Sequence, residues 1–205
     1  MSDAQKILIA TGNRGKAREI AGILKTFGAG DFDFVLPFDL GIEDSPIEDG
    51  KDYEENASIK AEFYGARSGI VTIADDSGLE VDALHGFPGI KSARLESTEN
   101  TDKSRYETLL DLMKDVKTEN RSARFVCIAA AYLPKTKKII TARAEWNGVI
   151  LTQPDGDSGF GYDPVFYDPS IGKSAARITT DEKNNISHRG KAFRMLWDII
   201  CQQGH

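Results

Sequence analysis

The chain has 205 residues, of which 40% are hydrophobic and 28% are charged, and its formal net charge is −6 at pH 7. This length predicts one domain, residues 1–205, with a substantial core and no separate linker. The negative charge opposes binding to DNA, RNA and anionic membranes, and the longest apolar run, residues 125–133, is about half of what a membrane span needs.

The first half of the chain alternates predicted strands with predicted helices. Apolar residues recur at helical spacing in the first helix, and Asn13 is its predicted N-cap. The predicted elements are, in order, strand 6–10, helix 15–27, strand 34–36, an acidic loop over 39–52, helix 53–66 and strand 70–74.

The second half changes character. Its predicted elements are helix 102–117, strands 123–133 and 138–146 joined as a hairpin, a turn at 147–148, strand 149–151 and a final helix capped by Ser187. An α/β beginning followed by antiparallel strands predicts an α/β fold with one mixed, twisted sheet flanked by helices.

Two features of the sequence bear on its compartment. The first residues contain no basic region followed by a long apolar region, so we expect no signal peptide. The two cysteines, Cys127 and Cys201, do not make a disulfide framework, and free thiols are typical of a reducing compartment. We therefore expect a cytoplasmic protein.

The segment TGNRGK, residues 11–16, lies between a predicted strand and a predicted helix. Such a turn directs backbone N–H groups and the positive end of the helix at a phosphate, and Lys16 adds a charge there. The segment matches neither a Walker loop nor GxGxxG. An ordinary strand-to-helix turn capped by Asn13 is the alternative interpretation.

The tetrad DDSG, residues 75–78, follows a predicted strand, and its glycine lets the chain turn. Mg²⁺ usually takes one or two carboxylates, with water and phosphate completing its shell. If the strand persists, Asp75 and Asp76 alternate, so one faces the site and binds metal or takes a proton from water. Glu48 is a further carboxylate for the metal. A turn with solvated acids is the alternative.

The predicted helix 53–66 carries Asn56 and Lys60 four residues apart, beside its apolar stripe. A lysine at such an edge reaches a cleft or, more commonly, lies on a solvated face. The sequence alone leaves both interpretations of Lys60 open.

The segment GDSGFGYDPVF, residues 156–166, combines glycines with aromatic residues. Glycine lets the backbone approach a ligand closely, and Phe160 or Tyr162 offers a ring that stacks on a flat base. GDSG also occurs in the nucleophile loop of trypsin-like proteases, but here Phe160 follows it, and disulfides are lacking. An aromatic-rich connection between strands is the remaining alternative.

The segment SHRGK, residues 187–191, begins the final predicted helix and places His188 and Arg189 in its first turn. A purine 6-oxo group requires hydrogen-bond donors, which His, Arg and N–H groups supply. The 6-amino group of adenine would set donor against donor. A surface cap with two solvated side chains is the alternative.

Six segments occur in an order that resembles the inosine triphosphate pyrophosphatase family: ATGNRGKAREI, EENASIKA, IADDSGLEVDAL, PGIKSAR, GFGYDPVF and ISHRGKA. The resemblance covers residues 7–196. It implies an Mg²⁺-dependent hydrolase that converts ITP, dITP and XTP to the monophosphate and pyrophosphate, which keeps these nucleotides out of DNA and RNA. It also implies an elongated sheet with two lobes, a central nucleotide-binding cleft and a homodimer.

The same resemblance implies a role for particular residues. Asp76 is the implied catalytic carboxylate and shares Mg²⁺ with Glu48. The implied substrate contacts are Thr11, Gly12, Asn13 and Lys16 at the triphosphate, Lys60 near the scissile phosphate, Ser77, then Phe160, Gly161, Tyr162 and Asp163 lining the base pocket, and Lys183, His188 and Arg189 at the oxo edge.

Two segments depart from the pattern of the family. Arg177 stands where the family often has Glu, and Lys51-Asp52-Tyr53 replaces a stretch that is more usually apolar or contains Thr. Two alternatives to the implied function remain. One is a related pyrophosphatase with a different base preference, and the other is a nucleotide-binding sensor without turnover.

Overall fold

The computed structural model describes residues 5–95 and 101–203. Its helices and strands are β1 (Lys6–Ile9), α1 (Arg14–Thr26), β2 (Asp33–Val35), α2 (Tyr53–Ser68), β3 (Val71–Val81), α3 (Asp102–Leu112), β4 (Ser122–Leu133), β5 (Lys138–Ile150), β6 (Phe166–Asp168), β7 (Lys173–Ser174), α4 (Thr180–Ile186) and α5 (His188–Gln203). Short 3₁₀ segments lie at Pro37–Leu40, Asp82–Leu84, Gly89–Arg94, Thr118–Asn120, Asp163–Val165 and Ala175–Arg177.

Among the described residues, seven strands form one sheet in the order β2-β1-β3-β4-β5-β6-β7. Strand β1 pairs in parallel with β2 and β3, whereas β6 pairs antiparallel with β5 and β7. The neighbours β4 and β5 are joined by residues 134–137, a connection too short for a parallel crossover, so they are antiparallel. The predicted mixed sheet with flanking helices is confirmed.

The chain divides into two compact units, each built from separate stretches of sequence. Unit 1 comprises Met1–Asp76, Cys127–Ala144 and Asn184–His205, and unit 2 comprises Ser77–Val126 and Glu145–Lys183. Three of the boundaries fall inside β3, β4 and β5. The assignment of residues 1–205 to a single domain stays a prediction.

The core of unit 1 forms where α1 packs against α5. Helix α1 buries residues at helical spacing, including Ile20 and Leu24, and α5 buries Phe193 and Leu196. Both predicted caps are confirmed. The side-chain oxygen of Asn13 accepts hydrogen bonds at the start of α1, and the hydroxyl of Ser187 accepts one at the start of α5.

The predicted strand end at residue 74 and the predicted turn at 147–148 are wrong, because the chain continues as a strand at both places. The DDSG tetrad lies inside β3, which extends past Gly78 because Leu79 and Val81 are fully buried. Asn147-Gly148 lies inside β5. A Cβ at Gly148 would lie 2.5 Å from the backbone oxygen of Tyr167 and 2.6 Å from the ring of Phe166, so glycine serves close packing there.

The helices differ from the prediction in two places. Helix α3 ends at Leu112, earlier than the predicted residue 117, and the chain then turns at Met113, whose side chain is fully buried. Helix α4 was not predicted. It is a short polar helix directly before α5, and its sequence has no apolar stripe of helical spacing.

Two helical glycines that face Asn184 give a matched pair for a stability test. A Cβ at Gly190 in α5 would lie 1.8 Å from the backbone oxygen of Asn184, whereas a Cβ at Gly22 in α1 would lie 3.6 Å from its side-chain nitrogen, an ordinary contact. We expect Gly190→Ala to lower the free energy of unfolding by about 1–3 kcal/mol, since the added methyl group would force α5 away from Asn184 on α4.

We expect Gly22→Ala to leave that free energy unchanged or to raise it by up to about 1 kcal/mol, because alanine favours a helix. Urea denaturation of both variants measures the difference. A Gly190→Ala protein that is as stable as Gly22→Ala would contradict the close packing of α4 and α5.

Candidate active site

The turn at residues 11–16 lies in unit 1, between β1 and α1, as predicted. The Asn13 side-chain oxygen accepts hydrogen bonds from the N–H groups of Gly15 (2.8 Å) and Lys16 (3.1 Å). The hydroxyl of Thr11 accepts one from the N–H of Asn13 at 3.1 Å. Gly12 and Asn13 are exposed. The turn is therefore held by its own side chains, and a ligand reaches it from solvent.

Two acids and one lysine of unit 1 form a compact group. The ammonium of Lys60 on α2 lies 2.9 Å from Glu48 Oε2 and 3.3 Å from Asp76 Oδ1. Burial opposes the charge of Lys60, but Asp76, Asp75 and Glu48 outweigh it and raise the pKa of Lys60. Lys60 therefore stays protonated. Of the two interpretations that the sequence left open, the structure favours a lysine directed at the acids rather than a solvated one.

The neighbours Asp75 and Asp76 have opposite environments because successive side chains of a strand point to opposite faces. Burial raises the pKa of Asp76, and the attraction of Lys60 and Lys16 does not fully offset it. Burial also opposes ionisation of Asp75, but Lys16, Arg189 and Lys60 outweigh it and lower its pKa. Asp76 is thus the more basic of the two carboxylates, which suits a proton acceptor.

A second charged group of unit 1 surrounds Asp75. Arg189, only 2% exposed, donates from Nε (3.2 Å) and Nη2 (3.1 Å) to Asp75 Oδ2, and from Nη1 (2.9 Å) to Glu19 Oε2. Lys16 Nζ lies 3.6 Å from the same Asp75 oxygen. These ion pairs hold Asp75, the residue before Asp76, in place. They also link α1, β3 and α5 to one another.

The surroundings of Arg189 differ from the sequence expectation of a donor directed at a base. Its guanidinium is held by two carboxylates of its own unit, because burial of this charge requires opposite charges. Sequence reasoning missed Glu19. Its only signal is a position three residues after Lys16, on the same side of α1. His188, at the start of α5, is also buried. Contacts of both residues with a base stay predictions.

The predicted base-binding segment lies in unit 2. Asp163 Oδ2 accepts hydrogen bonds from the N–H of Phe160 at 2.9 Å and from the ammonium of Lys183. That ammonium also lies 4.8 Å from the centre of the Phe160 ring, within cation–π range. Phe160, Asp163 and Lys183 thus lie together in unit 2, and their contacts with a base stay predictions.

Tyr162 has a structural position within this segment. Its ring is buried and its hydroxyl donates to the backbone oxygen of Ser92 at 2.8 Å. Burial raises the pKa of Tyr162. Between the two predicted stacking rings, the half-buried Phe160 is therefore the better candidate. The N–H of Gly161 donates to Asp102 on α3 at 2.8 Å, a contact that the sequence did not indicate.

A divalent cation fits the acids of unit 1. Within residues 5–95 and 101–203, no group of three or more His, Cys, Asp or Glu side chains is arranged to hold a metal ion. Mg²⁺ needs only one or two carboxylates when phosphate and water complete its shell. Glu48 and Asp76 already converge on one cationic group, the ammonium of Lys60, so their oxygen donors suit a hard cation.

No helix in the described part of the chain combines the length and apolar character that crossing a membrane requires.

Comparison with known proteins agrees with the motifs. Two relatives described as dITP/XTP pyrophosphatases, from Shigella flexneri and Escherichia coli K12, are each 46% identical over 198 residues, which is 96% of this chain and 98% of each relative. The resemblance inferred from the six segments is confirmed.

Solved structures of similar proteins share the fold. The Ham1 protein of Staphylococcus aureus superposes with a TM-score of 0.84 at 33% identity, covering 97% of this chain and 100% of its own. The nucleoside-triphosphatase / dITP/XTP pyrophosphatase of Mycobacterium abscessus gives a TM-score of 0.73 at 36% identity, covering 94% and 98%. A family model matches residues 7–199, and the chain belongs to the Ham1 family.

Proposed function

We propose that this protein hydrolyses the deaminated purine nucleoside triphosphates ITP, dITP and XTP to the monophosphate and pyrophosphate, and so removes them from the nucleotide pool. The observation that carries the proposal is the group formed by Lys60, Glu48 and Asp76 in unit 1. Relatives described as dITP/XTP pyrophosphatases, similar over nearly the whole chain, support the same reaction.

The proposed cofactor is Mg²⁺, held by Glu48 and Asp76. When bound, it supplies positive charge that neutralises phosphate oxygens and orients them. Lys60 donates to both acids, so its ammonium lies beside the proposed metal ligands. The charge of Lys60 then balances the charge that develops on departing pyrophosphate, a contribution typical of phosphoryl transfer.

Asp76 is the proposed proton acceptor. A water molecule attacks the α-phosphorus, the bond from that phosphorus to the bridging oxygen breaks, and pyrophosphate leaves with the bond electrons. The proton of the water passes to Asp76, whose pKa is raised mainly by burial. At the triphosphate, Thr11, Gly12 and Asn13 offer an exposed turn, and Lys16 adds a cation.

The base end is proposed to involve unit 2. Phe160 offers a ring to the base, while Gly161, Tyr162 and Asp163 shape the segment around it. Ser77, Lys183, His188 and Arg189 complete the set of proposed substrate contacts. Donors that meet a 6-oxo group disfavour the 6-amino group of adenine, because a buried donor would lose its partner.

The partner of this protein is then a small nucleotide rather than a nucleic acid or a membrane. A cytoplasmic homodimer is part of the proposal, since the resemblance implies a dimer and the two cysteines suit a reducing compartment. Both points are checked by light scattering of the purified protein and by fractionation of cells.

One assay tests the reaction. Pyrophosphate and orthophosphate are measured separately with ITP, dITP, XTP, ATP and GTP, with Mg²⁺ and after its removal by EDTA. We expect pyrophosphate from the first three nucleotides, much less from ATP and GTP, and loss of activity in EDTA that added Mg²⁺ restores. Tight binding of dITP without pyrophosphate release would favour the sensor, and preference for another base would favour the related pyrophosphatase.

A further inference from the structure

Asn56 is a buried amide that contacts both acidic segments of the candidate active site. It lies on α2, its side chain is almost inaccessible to solvent, and both ends of its carboxamide have partners. Its Oδ1 accepts a hydrogen bond from the N–H of Gly50 at 2.9 Å, and its Nδ2 donates to Asp76 Oδ2 at 3.4 Å. All of these residues belong to unit 1.

The orientation of this carboxamide follows from its partners. The N–H of Gly50 can only donate, so the oxygen of Asn56 must face it, and the NH₂ group is left facing the carboxylate of Asp76. A Cβ at Gly50 would lie 2.7 Å from Asn56 Oδ1 and 2.9 Å from the Asn56 backbone nitrogen. Gly50 therefore allows the loop to approach α2 closely enough for the bond.

Asn56 and Lys60 hold the two oxygens of Asp76 from one face of α2. Lys60, four residues after Asn56, donates to Oδ1, while Asn56 donates to Oδ2. The same two side chains hold the acidic loop: Lys60 contacts Glu48, and Asn56 contacts Gly50, two residues later. One helical turn thus sets both the direction of the Asp76 carboxylate and the place of Glu48.

We propose that Asn56 is a positioning residue, which keeps the Asp76 carboxylate and the segment that carries Glu48 in the arrangement needed for metal binding and water activation. This inference rests on the proposed function. Asn56 acts through Asp76 and Gly50 rather than through contact with the substrate. Groups that orient metal-binding carboxylates in this way commonly contribute about 10–100-fold to metal affinity or activity.

Asn56→Ala tests the proposal, with kcat and KM for dITP, the Mg²⁺ dissociation constant by calorimetry, and amide hydrogen exchange at Gly50 as readouts. We expect kcat to fall by about 10–100-fold and Mg²⁺ binding to weaken by at least about 10-fold. We expect KM to change little, because Asn56 is buried and both ends of its carboxamide are taken by Gly50 and Asp76. The exchange of the Gly50 amide becomes faster because its acceptor is gone.

Asn56→Asp separates the two bonds. It keeps an oxygen for the N–H of Gly50 but replaces the donor to Asp76 with a second acceptor. We expect kcat to fall while Gly50 stays protected from exchange. Gly50→Ala disturbs the same contact from the other side, and its effect on kcat should not add to that of Asn56→Ala in the double variant.

Asp52→Ala is the matched control. Asp52 caps α2 by accepting from the N–H of Glu55 at 2.9 Å, a hydrogen bond that does not involve Asp76. The control lowers the stability of α2, and we expect kcat to stay within about twofold of the unmodified protein. A loss of kcat in Asp52→Ala as large as in Asn56→Ala would overturn the inference, because general destabilisation would then explain both.

The outcomes also separate this inference from the proposed function. If the unmodified protein releases pyrophosphate and Asn56→Ala retains its kcat and Mg²⁺ affinity, only the positioning role fails. If the unmodified protein releases no pyrophosphate from any nucleotide, the proposed function fails. In that case a Mg²⁺ affinity that is unchanged in Asn56→Ala overturns the positioning role, and an affinity about 10-fold weaker supports it.

Discussion

Asp76→Asn is expected to lower kcat for dITP by about 10²–10⁴-fold, the range for loss of a group that transfers a proton. Asparagine has the same size and retains an oxygen that can accept from Lys60, which lies 3.3 Å from Asp76 Oδ1. It cannot accept a proton at neutral pH, and it brings one negative charge fewer to a cation. The substitution therefore removes the proton acceptor and one negative charge, while it retains the size of the side chain.

The control for this variant is Asp49→Asn, which removes an exposed carboxylate from the acidic loop that carries Glu48. We expect its kcat to equal that of the unmodified protein. Circular dichroism and the urea midpoint should match for all three proteins, since a collapse of structure would also abolish activity. Full turnover by a well-folded Asp76→Asn protein would remove Asp76 from the mechanism.

Arg189→Ala is expected to lower the free energy of unfolding by about 3–5 kcal/mol, the usual effect of breaking a buried ion pair. The substitution leaves Asp75 and Glu19 without the guanidinium that now donates to both. Lys16, 3.6 Å from Asp75, compensates only part of that charge. Two carboxylates that are almost inaccessible to solvent then carry an unbalanced charge.

Arg124→Ala provides the comparison. Arg124 also lies near three acids, Glu80, Asp82 and Glu145, but its side chain is 36% exposed. Water screens such a group, and we expect its removal to cost less than about 1 kcal/mol. Urea denaturation of both variants gives the two values. Equal losses would contradict the account of Arg189 as the centre of a buried charged group.

The sequence predicted the parts of the fold that depend on local patterns. Helix α1 follows from apolar residues at helical spacing and from the side chain of Asn13, which meets the first free N–H groups. The start of α5 follows from Ser187 in the same way. Two predictions failed, the strand end before DDSG and the turn at Asn147-Gly148. Both depend on distant residues, because the burial of Leu79 and the ring of Phe166 next to Gly148 decide them.

The same distinction between local and distant information applies to the candidate site. The motifs gave the acids, the lysines and the glycine-rich segment, but not which charges meet. Glu19 and Arg189 are separated by 170 positions, and nothing in the spacing of the chain indicates that they pair. Lys60 had the sequence context of a surface lysine, and its surroundings depend on how the acidic loop folds back onto α2.

The order in which the stretches of unit 1 occur along the chain bears on how the protein folds as it leaves the ribosome. Helix α1 is made well before α5, yet its apolar face packs against that later helix. Until Phe193 and Leu196 have left the ribosome, Ile20 and Ile23 lack some of the apolar contacts that bury them. The apolar face of α1 therefore becomes fully buried only after α5 has been synthesised.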